Sequence, residues 1–121
     1  MIYSCLEEVP LPKIIYNGPL DSRIIPLVKA VGVHNLTTSG SCEGHLDRGT
    51  AYPRVQFFPY DNSQLLEFLV DEYNKNNDIS WCLQGNSIRT AQSASTPREL
   101  FRLQNQIPPL TPFLFKYRPE A

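Results

Sequence analysis

Apolar side chains recur at Ile24, Leu27, Val28 and Val31, the spacing that gives a helix one buried stripe. Asp21 and Ser22 stand where a helix start favours a capping side chain, and Gly32 closes the run. Pro26 fits this helix only in its first turn, where an amide hydrogen is not needed. The stretch "VHNLTT" (33–38) is short and partly β-branched and reads as a strand. "YPRVQFF" (52–58) alternates, with Val55 and Phe57 on one face and Arg54 and Gln56 on the other, as a half-buried strand does. Leu65, Leu66, Leu69, Val70 and Tyr73 return to helical spacing behind Asp61 and Gln64, a capping-box pair, and "NKNND" (74–78) stops them. Ile79, Trp81 and Leu83 alternate ahead of Gly85-Asn86, which predicts a tight hairpin. Thr96, Pro97 and Glu99 form a cap, a first-turn proline and a box partner for a helix with Leu100, Leu103 and Ile107 inward.

The ends read differently. Residues 1–20 form an extended, proline-punctuated arm in which Ile14, Ile15 and Tyr16 add an edge strand or lie across the core. Residues 108–121 read as an extended tail. Its Leu110, Phe113, Leu114 and Phe115 are too apolar for water, so they need cover from the body or from a second copy of the chain in a homo-oligomer. The element order αββαββα, with no internal linker, makes 1–121 a single α+β domain. Its expected architecture is a small, mainly antiparallel sheet of about four strands with about three helices on one face.

Composition narrows the function. The chain has 121 residues, 41% apolar and 19% charged, enough for one hydrophobic core. Eleven basic against twelve acidic residues leave a net charge of −1, which excludes the basic footprint of a nucleic-acid polymer binder. No basic amphipathic helix or spanning apolar run marks a membrane partner. The start lacks the basic and apolar regions of a signal peptide, so the expected location is the cytoplasm. Cys5, Cys42 and Cys82 are odd in number and far apart, a pattern of reduced thiols rather than a disulfide framework. Cys5 and Cys82 read as packing residues.

The chemistry concentrates in "TTSGSCEGHLDRG" (37–49). Between the first two strands this polar run, from Ser39 to Thr50, is far longer than a hairpin needs, and overlong loops in compact domains are often functional. Four readings are open. Glycine amides at Gly40 and Gly44, with the hydroxyls of Thr38, Ser39 and Ser41 and the Arg48 fork, suit a small polar or phosphorylated ligand, a nucleotide among them; Glu43, His45 and Asp47 then select it. Cys42 and His45, in C-x-x-H spacing with His34 from the preceding strand, suit zinc and a zinc-dependent hydrolase. Cys42 activated by His45 and oriented by Glu43 or Asp47 suits a cysteine-dependent enzyme. A structural or assembly role needs no pocket at all: the cysteine is buried and the acids pair with Arg48 or Arg54. Trp81, Phe57 and Phe58 are more simply core residues than a stacking platform for a base, and His34 more simply a satisfied histidine near a helix end than a ligand.

The run "LTTSGSCEGHLDRGTAYPRV" (36–55), with its T-x-x-S-C-E-G-H-x-D motif, resembles small bacterial and phage proteins of uncharacterised activity over about Leu20 to Phe57. The loop is also distantly similar to the T-S-S-C-S-G-R loop of wybutosine-synthesis methyltransferases, with Glu43 in place of the serine and His45 in place of the arginine. That resemblance implies a loop that lines a pocket in a small α/β protein. The reading preferred on residues alone is a cytosolic binding protein holding a small polar ligand at the Thr38–Asp47 loop.

Overall fold

The computed structural model describes residues 3–11, 20–59 and 61–119. After a 3-10 turn at Leu6–Glu8 come α1 (Ile25–Gly32), β1 (Thr38–Cys42), β2 (Arg54–Phe57), α2 (Gln64–Asn74), β3 (Trp81–Gln84), β4 (Ser87–Thr90), α3 (Pro97–Gln104) and α4 (Ile107–Lys116). The strands form one antiparallel sheet in the order β1-β2-β4-β3. The fold is α+β, with the expected sheet and one helix more than expected. The Ile14–Tyr16 part of the arm lies outside the described residues.

Helices α1, α2 and α4 cover one face of the sheet. Leu27, Val28, Val31, Leu66, Val70, Leu110 and Leu114 pack there against Val55, Phe57, Trp81 and Ile88 in one buried cluster. Trp81 and Phe57 are core, not stacking platforms. A satellite cluster of Ile79, Ala94 and Leu103, with Tyr52 and Leu100 against it, seats α3. Thr96 caps α3 by accepting the Glu99 amide hydrogen at 3.1 Å, and its hydroxyl meets the Glu99 carboxylate at 3.1 Å. The predicted cap is present, but the Glu99 carboxylate accepts from the Thr96 hydroxyl rather than from its amide hydrogen, so the box is not reciprocal. Gly85, at φ 60, turns the β3–β4 hairpin.

Four expectations need correction. The C-terminal segment is the helix α4, not an extended tail. Pro108 and Pro109 fall in its first turn, where missing amide hydrogens cost little, and only Pro112 breaks a helical bond. That break costs about 3 kcal/mol, whereas burying Ile107, Leu110 and Leu114 contributes roughly 1.5–3 kcal/mol each. The body itself buries Leu110 and Leu114 and leaves Phe113 and Phe115 half-buried. The first strand begins at Thr38, not Val33. Residues 33–35 finish the α1 exit, with Asn35 left-handed at φ 63. Asp21 and Asp61 cap no helix: α1 and α2 begin after Ile24 and Ser63, neither of which caps with its side chain, and at α2 the Asn62 Oδ1 accepts the Gln64 amide hydrogen at 3.1 Å. Asp61 instead accepts the Thr37 amide at 2.6 Å. Cys5 is exposed rather than packed.

Candidate functional site

Because β1 takes up residues 38–42, the loop to β2 is shorter than the polar run and spans 43–53. His45 donates its amide hydrogen to the Thr50 carbonyl at 2.9 Å, and the Thr50 hydroxyl bonds the Tyr52 carbonyl at 2.8 Å. Gly44, at φ 104, carries the chain through a conformation that side chains avoid. Its carbonyl accepts from the Gln104 amide at 3.1 Å, so α3 buttresses the bend. Gly49, at φ 61, passes so close to Cys42 that a Cβ there would lie 3.0 Å from Sγ.

This folding brings three metal-ligating side chains together: Asp21, Cys42 and His45, whose ligand atoms all lie within 4.8 Å of one another. The Asp21 Oδ2 accepts from His45 Nε2 at 2.9 Å and from the Glu43 amide at 3.1 Å. The buried Cys42 sulfur accepts from the Gly44 amide at 3.4 Å. Burial opposes the charge on Asp21, but the Glu43 amide, His45 and Arg48 together outweigh it and hold the carboxyl below its ordinary value. Glu43 is drawn away from the trio, its carboxylate bonded to the Arg23 amide at 3.3 Å and facing the Arg23 guanidinium at 3.5 Å.

The other expected site residues are dispersed. Thr38 is buried at the far end of β1, with no hydrogen-bond partner for its hydroxyl among the described residues. Ser39, Gly40 and Ser41 lie within β1. Asp47 and Arg48 sit on the exposed loop tip and face each other at 3.5 Å. His34 does not join the cluster: it is buried after α1 and donates from Nε2 to the Leu114 carbonyl at 2.8 Å. Of the metal set proposed from spacing, Cys42 and His45 meet, and Asp21 rather than His34 lies beside them.

Asp21 is the residue that sequence reasoning missed. It lies more than twenty positions before the loop and carries the commonest signature of a helix cap, so no local pattern marks it as a neighbour of Cys42 and His45. No family model, curated protein or solved structure matches the chain.

Proposed function

We propose that this protein binds zinc through Asp21, Cys42 and His45, with a fourth position taken by water or by a small polar ligand. The observation that carries the reading is the meeting of a carboxylate, a thiol and an imidazole from two separate chain segments in one partly buried cluster. A tetrahedral zinc site spaces N, O and S ligands about 3.3–3.5 Å apart. The Asp21–His45 bond must therefore open by about 0.5 Å, and the Cys42 contact must tighten. Zinc would take a cysteine ligand as thiolate, so affinity would rise with pH.

The surrounding bonds support this reading. The Gly44 amide hydrogen on the sulfur and the Glu43 amide hydrogen on Asp21 orient two of the three ligands, as outer partners do in zinc centres. Three protein ligands with an open fourth position are the pattern of catalytic zinc, in which the bound water becomes a nucleophile near neutral pH. The reaction class is then hydrolysis of a small polar substrate.

Protein purified without chelator is expected to carry about one zinc per chain. The Cys42→Ser and His45→Ala variants should lose it while keeping a native circular dichroism spectrum. Cobalt substitution should give a thiolate charge-transfer band that disappears in Cys42→Ser. Metal-free protein that binds neither zinc nor cobalt at micromolar concentration would refute the site and leave the Asp21–His45 pair as a latch between the α1 entry and the loop.

A further inference from the structure

The sheet face turned away from α1, α2 and α4 carries two arginines that the zinc reading does not use. Arg54 on β2 and Arg89 on β4 are direct cross-strand partners, so their side chains leave the sheet on the same side. Like charges placed opposite each other on neighbouring strands repel. Both residues are half-buried, which weakens the screening that water would supply. Ion pairs form at Arg23, His45, Arg48 and Lys75, but among the described residues neither Arg54 nor Arg89 has an acidic partner.

Neutral groups hold both in place. Arg89 lies over the Tyr52 ring at 3.4 Å. It donates to the Thr90 carbonyl at 2.9 Å, to Gln84 Oε1 at 3.0 Å and to Ser93 Oγ at 3.1 Å. Arg54 donates to Gln56 Oε1 at 3.2 Å. Each glutamine thus gives its oxygen to an arginine and keeps its amide N–H donors. On β1, Gly40 lets the Gln56 and Arg54 side chains lie across it: a Cβ there would stand 3.3 Å from Gln56 Oε1 and 3.8 Å from Arg54 Nη1. Two guanidinium groups with rotamers set by uncharged neighbours, and with no carboxylate among the described residues paired to them, form a preorganised positive site whose repulsion a bound anion relieves.

We infer that the sheet face around Arg54 and Arg89 binds a phosphate group carried by a small molecule. Two planar donor forks and two amide donors, arriving from neighbouring strands, match the several acceptor oxygens of a phosphate better than the two of a carboxylate. This anion site differs from the Arg48-centred loop cradle expected from sequence, since Arg48 is splayed on the loop tip. It stands whether or not zinc binds, because neither arginine is a ligand of the trio.

The test is a titration of the full chain with inorganic phosphate at low, constant ionic strength, read by the arginine Nε–Hε resonances. Saturable shifts are expected at Arg54 and Arg89, with affinity weakened about tenfold or more in Arg54→Gln, the loss of one charge-assisted donor pair. Arg54→Lys should fall between, and Arg48→Gln should match the wild type. Arg89 also anchors its surroundings, so Arg54→Gln, which gives up a single internal bond, decides the matter if Arg89→Gln fails to fold. Shifts that never saturate, an equal response to acetate or chloride, or unchanged affinity in Arg54→Gln would each overturn the assignment. Because Arg54 pairs across the strands with Cys42, the titration is run with chelator present, so failure here is distinct from failure of the metal site.

Discussion

Replacing Asp21 by Asn tests the hub of the loop with almost no change of shape. The wild-type carboxylate accepts two bonds on one oxygen, from the Glu43 amide at 3.1 Å and from His45 at 2.9 Å. A hydrogen bond to a charged group contributes about 1.5–3 kcal/mol, against about 0.5–1.5 for a neutral one. Two such bonds lose roughly 2 kcal/mol in Asp21→Asn. The Asp21 side chain is 28% exposed, so screening trims the loss to about 1–2 kcal/mol. For a domain of this length that is a fall in Tm of roughly 4–10 °C. The pH dependence has a definite sign. The folded carboxyl lies below its ordinary value of 3.8 because the Glu43 amide, His45 and Arg48 outweigh the opposing effect of burial. The folded protein therefore binds fewer protons here than the unfolded chain does, and the contribution is complete above the unfolded value. It disappears as pH falls through the lower folded value. Urea unfolding with chelator present, followed by the fluorescence of the buried Trp81, should show the widest gap between wild type and variant at pH 7. That gap should close below about pH 4. A gap under about 0.5 kcal/mol at neutral pH, or one that persists undiminished into acid, would refute the account of Asp21 as a charged hub.

Two further outcomes follow from the same geometry. Gly44→Ala should lose roughly 2–4 kcal/mol in chemical unfolding, since φ 104 strains any side chain and the new Cβ would stand 2.8 Å from Leu100 Cδ1; a near-neutral result would mean that α3 does not press on the bend. His34 is held neutral, its pKa lowered chiefly by burial against the partial offset of its bond to the Leu114 carbonyl. Its contribution is therefore complete above the ordinary value of 6.5 and declines as pH falls below it. In stability measurements between pH 7 and 5, His34→Gln should be less stable at pH 7 but show a shallower acid decline, and an unchanged slope would contradict the buried neutral imidazole.

What could be read from the chain alone was what neighbouring residues decide among themselves. The Thr96 cap of α3, the Gly85-Asn86 turn and the stripes of α1 and α2, apart from the exposed Leu65, are local arrangements that the structure contains. The loop was legible as a place of concentrated chemistry, and Cys42 and His45 do meet, because three residues of separation keep them close in any tight bend. Asp21 could not be read this way. Its partners lie across the fold, and only the packing of α1 beside β1 carries it to Glu43 and His45 in place of a helix cap. The helix α4 was hidden for a related reason: its prolines argue against helix locally, and the gain that outweighs them comes from burying Ile107, Leu110 and Leu114 in the main core. Pairing Arg54 with Arg89 likewise needs β4 to return beside β2, a choice of strand order. Backbone propensity and short-range bonding are written in adjacent letters, whereas burial and the company of charges depend on residues brought together from a distance, so only the tertiary structure decided them.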